Sequence, residues 1–521
     1  MNSTHFAPFF AEHPRMSQGL NLLGYKGICE TLYTTLLPGL NAVTSRIRYY
    51  SFYCWLLSEL PNQVSPISEK SYVAYIRKAE YLLALIHAQM NNGEGVTGIP
   101  GIDKAIVNFK EAGEQISLIE GIYKSDGVST AGTYWKNKGG VLAQYYLASM
   151  SDDMGLLEAT NEKASIRNIS RKDGFINGAK LAESFKASIG DTDANLFLAA
   201  VKSGSVSKTE LGQLRVPFYM KGFHNGESEK KTLIDLIFQA DRPRSGSETA
   251  LRKQTITHFL EYVESGAELK TDDSLDFSGY LYDKFIDGES SDICTIGWYL
   301  YWLNDNWQYQ LNDIFIEILG ILEDTYDCCW APIHELSRNL AEQMTSVLLD
   351  KENPKVRDLY ILVKSEDAQF SQQNTPEAIC ADSFLDILYR VSENENCRPA
   401  DEDYYKVFKI AGNRNTFFKF MDDFLTNLDM DLVDYLTTFL EERIIYKHYA
   451  ESMRKWANGG GVATHKFMLE NGCIRFLDKT YSSHTSPRIR TLKGFLIDLG
   501  LVDPAGGLTD DGKTTLELLT A

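Results

Sequence analysis

The chain has 521 residues, of which 44% are hydrophobic and 12% aromatic, and a formal net charge of −19. That length leads us to expect about three domains, and the composition supports packed cores. The acidic balance excludes a general polyanion binder, so any nucleic-acid contact has to come from a local basic patch.

The eight cysteines are scattered. Only Cys328 and Cys329 adjoin, and no C-x-x-C occurs, so a cysteine-rich zinc module is not expected. No other motif leads us to expect a metal site or a cofactor. The N-terminal residues lack a basic stretch followed by an apolar run, and no 18-residue apolar stretch is present. The expectation is a cytoplasmic protein with no membrane span.

Tyr25 to Leu37 reads as a helix. Pro38-Gly39 then makes a turn, and Asn41 or Thr44 can cap a dense helix that runs on to Leu60. That helix is apolar on most sides, which marks a buried element. Arg46 and Arg48 sit inside it as a charged seam, and a buried guanidinium needs a partner. Lys70 to Met90 is a third helix. Gly93, Gly95 and Gly98 match G-x-G-x-x-G formally, but they follow a helix and run into Pro100, so a loop is expected.

Gly140 to Phe185 reads as a helix ending at Gly155, a strand from Leu156, a hairpin and a second helix, in the style of a winged-helix subdomain or, equally, of a helical hairpin with a small β-ribbon. The acidic run from Glu268 to Asp292 lacks EF-hand spacing and reads as a solvated face. Gly297 to Asp324 is an amphipathic helix with Leu303, Trp307, Leu311, Phe315 and Leu319 every four residues. No Arg or Lys interleaves there, so its aromatics read as core and not as a base-stacking platform. Arg357 to Lys364 fits a short helix or strand, and Asp401 to Trp456 is helical. Gly459 to Gly461 frees the chain to turn. Alternating runs around Asn471-Gly472 signal a hairpin. A helix after Pro487, a small wing and a last helix then make a second winged-helix candidate.

Three motifs bear on chemistry. Gly507 to Thr514 matches a phosphate-binding loop formally, but too little chain follows it, and a wing turn is expected. Glu268-Leu269-Lys270 has the E-x-K of restriction-type nucleases without a strand framework. Arg443 and His448 form Arg-x4-His on a helix, a spacing that resembles the ribonuclease motif of HEPN domains. The resemblance implies that Arg443 stabilises phosphoryl charge and His448 transfers protons. Ile444 departs from the family, which usually has a polar residue there.

From Arg443 to Lys493 basic residues outnumber acids. We expect nucleic-acid contacts from Arg488, Arg490, Thr491, Lys493, Arg475 and Lys466, with Ser482, Ser483 and Thr485 around a helix N-terminus that favours phosphate.

Several stretches together resemble a family of bacterial proteins encoded beside antiphage defence genes. They are LLPGLNAVTSRIRYYSFYCWLL (36–57), RKAEYLLALIHAQ (77–89), GGVLAQYYLAS (139–149) with MGLL (154–157), and RIIYKHYAESMRKW (443–456). The resemblance implies a component of a multi-gene system that detects or blocks phage nucleic acid, beside partners such as a helicase or nuclease. The expected fold is mainly α and multidomain, with one or two winged-helix-like subdomains and a C-terminal β-hairpin. The expected segments are 1–130, 131–205, 206–400 and 401–521. The leading functional expectation is a non-catalytic nucleic-acid-sensing or scaffolding subunit. The alternatives are a HEPN-like ribonuclease and a protein–protein adaptor.

Overall fold

The computed structural model describes residues 21–44, 46–90, 98–119, 139–160, 166–172, 175–223, 226–239, 251–266, 273–324, 330–399, 402–458 and 464–520. Gly93, Gly95, the Glu268-Leu269-Lys270 motif, Asp272, Cys328, Cys329 and Gly459 to Gly461 lie outside them.

The chain is mainly α, with three small antiparallel sheets among the described residues. It groups into two compact units, each discontinuous in sequence. One joins Ser278–Thr485 to the start of the chain up to Tyr33, and the other joins Thr34–Phe277 to Ser486–Ala521. This differs from four consecutive segments, and packing gives the reason. Tyr25 lies against Trp307 with ring centroids 4.6 Å apart, which places the beginning of the chain in the first unit. Arg46 bonds Asp498 at 2.6 Å, which places the last helices in the second.

In the Thr34–Phe277 unit the core is built on the Arg48–Gln63 helix, where every residue from Arg48 to Leu57 is buried. A helix apolar all round must be covered on all sides. Here the cover is aromatic: Trp55 meets Phe185 at 5.4 Å, and Phe197 stacks on Phe218 at 4.3 Å. The helix starts at Arg48 and not near Asn41. The Asn41 carboxamide oxygen already accepts the amides of Val43 and Thr44 at 2.9 Å, which closes a separate turn. The next helix, Glu69–Ala88, opens on a capping box at Ser68 and Ser71.

Two stretches of this unit share one local device. Residues 140–153 are helical, with π-type turns over Leu142–Tyr146 and Ser149–Asp153. Gly155 turns the chain at φ +59°, Leu157–Ala159 pairs with Arg167–Ile169, and the Gly178–Ile189 helix follows. Near the C-terminus the Ile489–Asp498 helix is followed by Gly500 at φ +65°, a bridge between Val502 and Leu508, and the Asp510–Thr520 helix. In each, a leucine carbonyl after the turning glycine accepts an amide across the ribbon: Leu156 from Ser170 at 2.7 Å and Leu501 from Thr509 at 3.1 Å. In each, a glycine of the second helix lets that carbonyl approach. A Cβ on Gly178 would lie 2.3 Å from the Leu156 oxygen, and one on Gly512 would lie 2.0 Å from the Leu501 oxygen. Gly512→Ala therefore forces a backbone shift, with an expected loss of about 1–3 kcal/mol. A urea midpoint unchanged from the native chain would remove this account of the glycine.

The Ser278–Thr485 unit is organised on the 32-residue helix Ile293–Asp324. Asp292 caps it, its carboxylate accepting the amides of Cys294 and Thr295 at 2.8 and 3.1 Å. Leu303, Trp307, Leu311, Phe315 and Leu319 are all buried, so the four-residue stripe is core. Val356–Lys364 is a helix. Phe467–Glu470 and Cys473–Phe476 form the hairpin, with Asn471 and Gly472 both at positive φ, as a two-residue turn of this hand requires. Trp330–Pro332 adds a third strand to it, which the sequence reading did not include. The hairpin and the Ile489–Asp498 helix fall in different units, so the expected C-terminal segment 401–521 is not one compact module. The G-x-x-x-x-G-K-T stretch is the Val502–Leu508 turn followed by a short helix.

Candidate functional site

The Tyr446–Asn458 helix follows a π-type turn over Leu440–Ile445, so Arg443 lies within that irregularity and His448 in the regular helix after it. Arg443 donates to Asp423 at 2.5 Å. His448 is fully buried, its ring 4.6 Å from Phe315 and 5.0 Å from Phe467. The Lys466 amide donates to its Nε2 at 3.0 Å, which leaves the proton on Nδ1, facing the Leu22 carbonyl at 3.0 Å. Burial pushes its pKa down to about 3. A general acid or base needs a nitrogen within reach of substrate. Both nitrogens of His448 are occupied by backbone, so the ring serves as a structural tie and not as a proton-transfer group.

The six expected nucleic-acid residues separate. Lys466 and Arg475 belong to the Ser278–Thr485 unit, and Arg488, Arg490, Thr491 and Lys493 to the other. The Lys466 side chain is 1% exposed and bonds Asp478 at 2.6 Å, so its charge is already spent inside the fold. Arg475 lies over the Trp330 ring, its cross-strand neighbour, at 5.3 Å. Arg488 sits at φ +68° just before the Ile489–Asp498 helix and donates to the Leu37 carbonyl at 3.3 Å. Thr491 is buried and donates to Asn41 at 2.9 Å. Lys493 is half-buried, and Arg490 is exposed.

The serine- and threonine-rich segment before Pro487 is also tied down. Asp305, fully buried, accepts from the Thr485 amide and hydroxyl at 2.9 and 2.7 Å and holds His484 Nδ1 at 3.0 Å. Lys26 donates to the Ser483 hydroxyl at 2.8 Å. These groups anchor a chain segment on the long helix. They do not lie in one unit with the helix whose N-terminus was expected to use them.

The seam residues are structural. Arg48 is 1% exposed and uses all five of its N–H groups. Nε and Nη2 grip Glu229 at 3.0–3.1 Å, Nη2 also reaches Ser188 at 3.1 Å, and Nη1 donates to the carbonyls of Tyr219 and Gly222 at 2.6 and 3.3 Å. Arg46 pairs with Asp498, whose pKa burial nonetheless pushes up to about 6.

One face of the Tyr446–Asn458 helix lies on the surface. Tyr446, Met453 and Trp456 are 45%, 39% and 51% exposed, unusually open for such residues on a helix with a buried opposite side. Their spacing of seven and three, with half-buried Tyr449 between, puts them on one stripe. Arg454 stands beside the stripe, its side chain 61% exposed and paired with Glu451 at 2.6 Å. Lys447 and Lys455 point away from it, held by Asn415 and the Asn21 carbonyl. The pattern was present in RIIYKHYAESMRKW as Tyr, Tyr, Met and Trp at three-four-three spacing with cations between. No family model, curated protein or solved structure matches the chain.

Proposed function

We propose that the chain is a non-catalytic component of a bacterial antiphage system that contacts single-stranded nucleic acid through the Tyr446–Asn458 helix. The observation that carries this reading is the exposed stripe of Tyr446, Met453 and Trp456 beside Arg454. Bases stack on exposed aromatic rings regardless of sequence, and a neighbouring guanidinium meets the backbone phosphate. The Arg454 pair with Glu451 is solvent-exposed on the arginine side, so exchanging it for a phosphate costs little. Arg490 and Lys493 on the other unit supply a second, weaker cationic surface. The burial of His448 favours recognition over cleavage. The antiphage setting, and partners such as a helicase or nuclease, rest on the resemblance of residues 36–57, 77–89, 139–149, 154–157 and 443–456.

Trp456→Ala tests the reading. Loss of one stacking platform should weaken binding of a labelled single-stranded oligonucleotide by about 1–3 kcal/mol, roughly 5- to 150-fold. Fluorescence anisotropy reads this directly. Native binding that Trp456→Ala and Tyr446→Ala leave untouched would remove the site. Absence of any single-strand binding would instead favour a protein partner for this apolar face.

A further inference from the structure

We infer that a cavity in the Ser278–Thr485 unit binds a nucleoside phosphate. The cavity holds about 490 Å³, within the usual range of small-molecule sites (about 300–1,000 Å³) and far larger than a bare phosphate needs. Its lining combines three chemistries. Among the described lining residues, Tyr405 and Phe418 bring aromatic rings, Arg398, Lys406 and Lys419 bring cations, and Asp422 brings a carboxylate.

The arginine is already placed. Its guanidinium lies 4.7 Å from the Phe418 ring centre, and its Nη2 donates to Asp422 at 2.7 Å and to the Phe418 carbonyl at 3.3 Å. A stacked, hydrogen-bonded guanidinium is a rigid anion receptor. Lys419 pairs with Asp423 at 2.8 Å, but the side chains are 47% and 39% exposed. Such a pair holds only about 0–1 kcal/mol, so the ammonium can turn to a phosphate at small cost. Lys406 is exposed on the same lining. The half-buried Tyr405 ring suits a planar base, and Asp422 can accept from a base amino group or a ribose hydroxyl. That acceptor and the apolar area are what separate a nucleoside phosphate from inorganic phosphate. No residue of the Tyr446–Asn458 stripe takes part, so this inference stands apart from the nucleic-acid reading.

Isothermal titration of the full chain with ATP, and separately with inorganic phosphate, tests it. ATP should bind saturably, with inorganic phosphate at least tenfold weaker. Lys406→Ala combined with Lys419→Ala should weaken ATP by about tenfold or more, as expected for lost charge-assisted hydrogen bonds. Ala411→Trp, at an exposed lining position, fills the space without removing a charge and should abolish binding while far-ultraviolet circular dichroism stays unchanged. The inference is overturned by failure of ATP to bind, by phosphate matching ATP, or by ATP binding that both well-folded variants retain.

Discussion

Glu229→Ala should destabilise the Thr34–Phe277 unit by about 3–5 kcal/mol. Glu229 is fully buried, accepts from Nε and Nη2 of Arg48, and also takes the Ser51 hydroxyl at 2.5 Å. Removing it strands a guanidinium that is 1% exposed, and the Phe185 and Phe223 rings at 5.2 and 5.6 Å cannot neutralise it. Most of the cost lies in the orphaned charge and not in the lost attraction. Arg48→Met with Glu229→Leu should therefore recover much of the loss, because neither charge is then left alone. Urea unfolding followed by tryptophan fluorescence measures both. A Glu229→Ala loss below about 1 kcal/mol would contradict a buried, unsolvated pair.

His448→Ala should cost about 2–4 kcal/mol, because it leaves the Lys466 amide and the Leu22 carbonyl without their partner. It should also change how stability depends on pH. The folded pKa of His448 is about 3 against an ordinary 6.5. Between those values the unfolded chain takes up a proton that the folded chain refuses, so the contribution is complete above pH 6.5 and lost as pH falls toward 3. From pH 7.5 to pH 5 that is about 2 kcal/mol. Burial lowers His87 to about 4, with the same sign. Glu80 acts in the opposite direction. Burial raises its carboxyl to about 7 even though it accepts the Val141 and Leu142 amides, so its contribution is complete below about 4.5 and lost as pH rises through 7. Comparing urea midpoints at the two pH values in native and His448→Ala chains isolates the histidine. An unchanged acid slope in the variant would contradict the assignment.

Much of the fold can be read from local pattern. The Leu303-to-Leu319 stripe, the Asn471-Gly472 turn and the glycines that end helices at Gly155 and Gly500 each follow from short-range chemistry. Long-range pairing is not legible in this way. Trp330–Pro332 is three residues long and shows no alternation, so nothing local announces that it pairs with Cys473–Phe476. That the Ser278–Thr485 unit takes in a distant stretch of chain rests on contacts such as Tyr25 with Trp307, between residues hundreds of positions apart. The same limit shaped the reading of the sites. Charge density along the sequence put Lys466 and Arg490 in one patch, but burial consumes the first and a different unit carries the second. Arg-x4-His has the spacing of a catalytic pair, whereas the helix face that His448 occupies turns it into the core. The Tyr446–Trp456 stripe needed the complementary fact, that Tyr446, Met453 and Trp456 are exposed among the described residues.

The central claim, recognition of single-stranded nucleic acid without cleavage, is tested most directly by titrating the native chain onto labelled single-stranded DNA, double-stranded DNA and RNA. Shift and product length would be scored together between about 50 and 200 mM salt. With about two phosphate contacts, affinity for single strands should fall with a log–log slope near −1.4, roughly sevenfold over that range, with every strand intact. Strands cut by the native chain, or no shift of any single strand at the lowest salt, would contradict the account.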